Sequence, residues 1–165
     1  MNNPIFNFFF YFDKMSFEFS FVGLLFLIML FVPNVIWSKH QPKDYEIYSR
    51  NENRLLLSFE RVGQILVTVF SLFCGARFHF SLLLILGFVF MVLYELAWIR
   101  YFRGSHTMKG MYSDFLKIPI PLATLPVLAF FLLGIDANSI FLVVSSLILG
   151  IGHIGIHLEH KKRIF

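Results

Sequence analysis

The chain has 165 residues; 58% are apolar, 23 are phenylalanine and only 15% are charged, against about 25% charged in a typical soluble domain. A fold this small leaves much of its surface exposed, so this composition excludes an ordinary water-soluble globule, and the single cysteine, Cys74, excludes an intrachain disulfide or a multi-cysteine metal motif. The net charge of +4 is carried by short loops beside apolar runs, where Lys and Arg set topology; with no phosphate loop or nucleic-acid motif present, the implied partner is the lipid bilayer and no nucleic acid.

Residues 1–18 include an aromatic run, Phe8-Phe9-Phe10-Tyr11-Phe12, followed by Asp13-Lys14. The run lacks a basic leader and a small-residue cleavage site, so it is expected to lie at the membrane interface and not to act as a secretory signal. Five apolar spans follow, at about 19–37, 55–74, 80–99, 118–133 and 140–158. Each is near the roughly 20 residues that cross a hydrocarbon core. The connecting stretch 38–54 is the most polar; Pro42 breaks it early, and its remainder is expected to form a short surface helix. Residues 75–79 read as a turn and 100–117 as a second basic loop. Pro119, Pro121 and Pro126 predict that the fourth span is kinked or starts irregularly. Residues 134–138 make a tight turn, and Lys161-Lys162-Arg163 a basic tail. The fold class is therefore all-α, one transmembrane domain over 1–165 with five spans.

Orientation follows from the loop charges. Loops 38–54 and 100–117 and the tail hold eleven Lys and Arg, against Lys14 and Arg77 on the opposite side. The positive-inside rule then places the N-terminus outside and the C-terminus in the cytoplasm.

Ionisable groups inside a bilayer are costly and are functional candidates by default. Glu60 lies about 9 Å in from the cytoplasmic end of the second span and Glu95 about 7.5 Å in on the third; His157 and His153 lie about 6 and 12 Å in on the fifth, at 1.5 Å rise per residue. These four groups fall in one layer of the inner leaflet. His153, His157 and His160 are spaced i, i+4, i+7 on one helix face, and Glu60, Gln64 and Thr68 make a polar stripe at i, i+4, i+8. A shared interior site built from Glu60, Arg61, Glu95, His153 and His157 is thus geometrically allowed. As a metal centre it would use His153, His157, Glu60 and Glu95 to hold a divalent ion, since imidazole and carboxylate suit zinc, iron or manganese. Arg100 and His160 are candidate contacts to a lipid headgroup or anion. Structural readings stand beside these. Glu60 and Arg61 can mark an interfacial helix end. Glu95 can pair with Arg61 or Arg100. The two histidines can be hydrogen-bonded packing groups, and His160 can belong to the solvated tail. Ser145, Ser146, Gly150, Gly152 and Gly155 permit close helix approach.

Four stretches, Asn34-Val35-Ile36-Trp37, Phe59-Glu60-Arg61-Val62-Gly63-Gln64, Tyr94-Glu95-Leu96-Ala97-Trp98-Ile99-Arg100-Tyr101-Phe102 and Gly150-Ile151-Gly152-His153-Ile154-Gly155-Ile156-His157, resemble short, functionally unassigned membrane proteins of low-GC Gram-positive bacteria. The resemblance implies a multi-pass protein of the bacterial plasma membrane and brings no activity with it. Three functions follow as expectations. The first is an intramembrane His/Glu site, open to the cytoplasm, that binds or moves a small ion or solute. The second is a membrane-embedded enzyme acting on a lipid-like substrate. The third is a non-catalytic accessory or immunity-type protein whose charged pairs fix helix packing. Five short helices make a thin bundle, so a homo-oligomer is also expected.

Overall fold

The computed structural model describes residues 18–50 and 52–165; the aromatic run near the start of the chain and Lys14 lie outside the described residues. Those described form α1 (Phe21–Ser38), α2 (Tyr45–Ser49), α3 (Arg54–Leu72), α4 (Leu82–Phe102), α5 (Met108–Tyr112), α6 (Pro121–Asp136) and α7 (Ile140–Ile164). Among the described residues there is no strand, only an isolated bridge between Phe115 and Ile118. The long helices begin on side-chain caps. Ser20, Asn53, Ser81 and Ser139 each accept a bond from a first-turn N–H, which satisfies donors that the first turn leaves free.

Four helices, α1, α3, α4 and α7, are long and apolar enough to cross a membrane; α6 is apolar but has 16 residues, about 24 Å at 1.5 Å per residue. The fourth span was expected over 118–133, yet its helix begins only at Pro121. Pro121 disfavours helical geometry in the residue before it, and Ile120 instead takes a left-handed conformation with φ 44°. Leu116 and Lys117 are left-handed as well, so the chain enters α6 through a turn. The fifth span runs further than its predicted end at residue 158, to Ile164. Lys161, Lys162 and Arg163 occupy its last turn, where cations complement the helix dipole. The surface helix expected within 38–54 is α2.

Consecutive long helices run antiparallel, and hydrogen bonds tie their ends. At one end Ser20 N donates to Leu72 O at 2.8 Å, and the Ser81 hydroxyl donates to Asp136 Oδ1 at 2.5 Å. At the other end the Tyr101 hydroxyl donates to His40 O at 2.8 Å, and Lys161 pairs with Asp114. Phe26 of α1 meets Phe88 of α4 and Phe130 of α6 edge-on, with centroids 4.9 and 5.9 Å apart, a favoured aromatic geometry. Large apolar side chains such as Ile65, Ile85, Val92, Leu147 and Ile151 point outward. An exterior this apolar suits lipid as the surrounding solvent.

The most extensive helix contact is between α3 and α7. Two glycines make it possible. A Cβ on Gly152 would stand 2.2 Å from Glu60 N, and one on Gly63 would stand 2.5 Å from Leu149 Cα. The two backbones therefore touch, as small residues allow in membrane helices. Because Gly152 rests on the backbone at Glu60, the next residue, His153, is carried to the Glu60 side chain.

A candidate His/Glu centre between α3 and α7

His153 Nδ1 donates to Glu60 Oε1 at 2.5 Å. One nitrogen from each of His153 and His157 and one carboxylate oxygen of Glu60 lie within 4.8 Å of one another. The imidazole rings are 4.4 Å apart, centroid to centroid, as the i, i+4 spacing on one helix face dictates. The side chains of Glu60 and His153 are 13% and 22% exposed, so the pair is reachable but largely removed from water. A carboxylate holding Nδ1–H fixes the imidazole tautomer and leaves Nε2 with its lone pair, which is how histidine is oriented as a metal ligand or base. Two imidazole nitrogens and a carboxylate oxygen are donors of the kind that bind transition metals.

Arg61 lies beside the centre and, with Gln64, lines a cavity of about 240 Å³ that also has Glu60, His153 and His157 in its wall. Gln64 and Thr68 continue the Glu60 face along α3 and line a second cavity of about 260 Å³. Glu95 does not join the three donors. On α4 it is Tyr94 and Trp98 that face the cavities, and the intervening Glu95 is rotated to the side, its Oε1 buried with no hydrogen-bond partner. Nor does Glu95 pair with Arg100: that guanidinium donates to Asp114 O at 2.7 Å and to Ser113 O at 3.0 Å, and it lies over the Phe115 ring. Arg100 thus anchors the loop before α6.

His160 departs most from expectation. It is neither a solvated tail residue nor a headgroup contact, since it is 1% exposed. Helix α7 continues through it, and the i+7 spacing from His153 keeps it on the inward face. Its Nδ1 is hydrogen-bonded to the Tyr112 hydroxyl at 2.8 Å. Its Nε2 lies 3.2 Å from Glu52 Oε1, a close approach without hydrogen-bond alignment. Tyr112 also stacks on His157, with centroids 5.4 Å apart. Tyr45 and Tyr48 of α2 close over His160 edge-on. The centre is thereby capped by two five-residue helices, α2 and α5. Nothing in the sequence signalled Tyr45, Glu52 or Tyr112, because such short elements carry no periodicity.

Burial raises the Tyr112 phenol above its usual range. It pushes the Tyr45 phenol up to about 12, with Glu52 and Glu60 adding to the shift. Glu52 is raised from its ordinary 4.5, by burial first and by Glu60 second. The fold therefore favours the neutral Glu52 acid. Its contribution to stability is complete below pH 4.5 and is lost as pH rises through the raised value. Between about pH 4 and pH 7 the unfolding temperature of the wild type should fall relative to that of Glu52→Gln, which stays neutral throughout. A carboxylate held charged by protonated His160 would produce the opposite slope.

Tyr112→Phe is expected to cost about 1–3 kcal/mol, because it removes the partner of a buried imidazole nitrogen while keeping the ring. Thermal unfolding in detergent checks this; an unchanged transition would mean that the bond is replaced.

Compared with protein-family models, with curated proteins and with solved structures, the chain matches none.

Proposed function

We propose that the protein is a five-span bacterial plasma-membrane protein, N-terminus outside and C-terminus in the cytoplasm, whose Glu60, His153 and His157 bind a small divalent cation within the inner leaflet. The observation that carries this reading is the gathering of three donor atoms from two helices within 4.8 Å. Imidazole with one carboxylate suits zinc, iron or manganese, and three protein ligands leave a coordination position open for water or a solute. The eleven Lys and Arg on one side, against two on the other, support the orientation. Helix α6 crosses together with the turn that precedes it. A reachable, cavity-lining site of this kind suits an ion that is taken up and released.

Metal analysis of the full chain, purified without chelator, tests the reading. About one equivalent of a divalent transition metal per chain is expected, and its loss in the double variant His153→Ala with His157→Ala. Wild-type protein that holds no metal even after incubation with zinc, iron and manganese would overturn it.

A further inference from the structure

Two cavities adjoin at the level of Gln64 and His153. The first, about 240 Å³, has polar walls that include Arg61, Gln64, Trp37 and Trp98. The second, about 260 Å³, is lined largely by apolar groups such as Leu30, Val67, Phe130 and Leu149. Asn34, Gln64, Leu122 and His153 belong to both walls, so the two spaces are neighbours. Together they fall within the roughly 300–1,000 Å³ typical of small-molecule sites. A polar end continuous with a hydrocarbon-lined end has the shape of an amphiphile.

The polar end carries one guanidinium, that of Arg61. The indole Nε1 atoms of Trp37 and Trp98 are buried beside the hydroxyls of Tyr101 and Tyr94. The two acids in that wall each face an imidazole, Glu60 that of His153 and Glu52 that of His160, which leaves Arg61 as the guanidinium beside them. A guanidinium at one end of an apolar space is complemented by a carboxylate, which it can hold through two parallel N–H bonds. We propose that the two cavities form one site for a single-chain amphiphile with a carboxylate head. The head lies in the first cavity against Arg61, and the chain lies in the second among Val67, Val127 and Phe130. The inference shares with the proposed function the use of this polar end as a ligand site, but it requires no metal.

Trp37 and Trp98 are the only tryptophans of the chain, so intrinsic fluorescence reports on the first cavity. With the full chain in phosphatidylcholine nanodiscs, dibromostearic acid should quench saturably. Stearic acid should reverse the quenching, stearyl alcohol should not, and chelator should leave it unchanged. Val67→Phe on α3 and Val127→Phe on α6 fill the second cavity and should each raise the half-quenching concentration about tenfold or more. Quenching of the wild type that rises without saturation and ignores stearic acid would overturn the site; this comparison needs no variant to fold. Equal displacement by stearyl alcohol would overturn the carboxylate head. Saturable quenching in protein that binds no metal would sink the cation reading and leave this one standing, whereas bound metal with unsaturable quenching would do the reverse.

Discussion

Gly152→Leu should do more damage than any change to the donors themselves: α3 and α7 are expected to part, at a cost of about 3 kcal/mol or more, and cation binding is expected to disappear with the contact. The reason is which atoms are met. A Cβ on Gly152 would lie 2.2 Å from Glu60 N and 2.6 Å from Leu56 O. These are helix backbone atoms and cannot swing away, so the helices themselves must separate. Gly155 supplies the contrast. Its Cβ would lie 3.0 Å from Leu56 Cδ2, the far end of a side chain that can rotate, so Gly155→Ala should cost about 1 kcal/mol or less. Thermal unfolding of both variants in detergent, alongside zinc titration, distinguishes them. Equal effects at the two positions would show that the α3–α7 backbone contact is not what assembles the centre.

Glu60→Gln should separate charge from hydrogen bonding at the same atom. The amide oxygen still accepts from His153 Nδ1, which now meets Glu60 Oε1 at 2.5 Å, so the unfolding temperature should barely move. The proposed anionic ligand is gone, and zinc affinity should fall about 100-fold or more. Glu60→Leu removes both. It leaves the His153 donor largely buried without an acceptor, at about 1–3 kcal/mol, and loses zinc equally. Calorimetric titration with zinc and unfolding in its absence read the two effects separately. Zinc affinity retained in Glu60→Gln would remove Glu60 from the ligand set and leave it only an orienting role for His153.

What could be read from the amino-acid order is what depends on near neighbours. Apolar runs marked the helices to within a few residues. The i, i+4, i+7 spacing put three histidines on one face of α7, and the i, i+4, i+8 stripe put Glu60, Gln64 and Thr68 on one face of α3. Hydropathy and helical period are local sums, so no knowledge of the fold was needed for them. The limits were local too. The start of α6 moved to Pro121 because a left-handed Ile120 comes before it, and α7 outran its apolar stretch because a basic last turn suits a helix end.

The partnerships were decided by the tertiary structure. Glu60 and Glu95 sit at similar depth, yet only Glu60 meets the histidines, since depth follows from residue count whereas facing depends on how each helix is rotated against its neighbours. The α3–α7 contact set that rotation through Gly63 and Gly152, whereas Tyr94 and Trp98 took the inward face of α4. His160 looked like part of a charged tail, yet it is buried, bonded to Tyr112 and close to Glu52, because α2 and α5 fold back over the end of α7. Where two five-residue helices dock is governed by the shape left open between long helices, a quantity that exists only once the chain has packed.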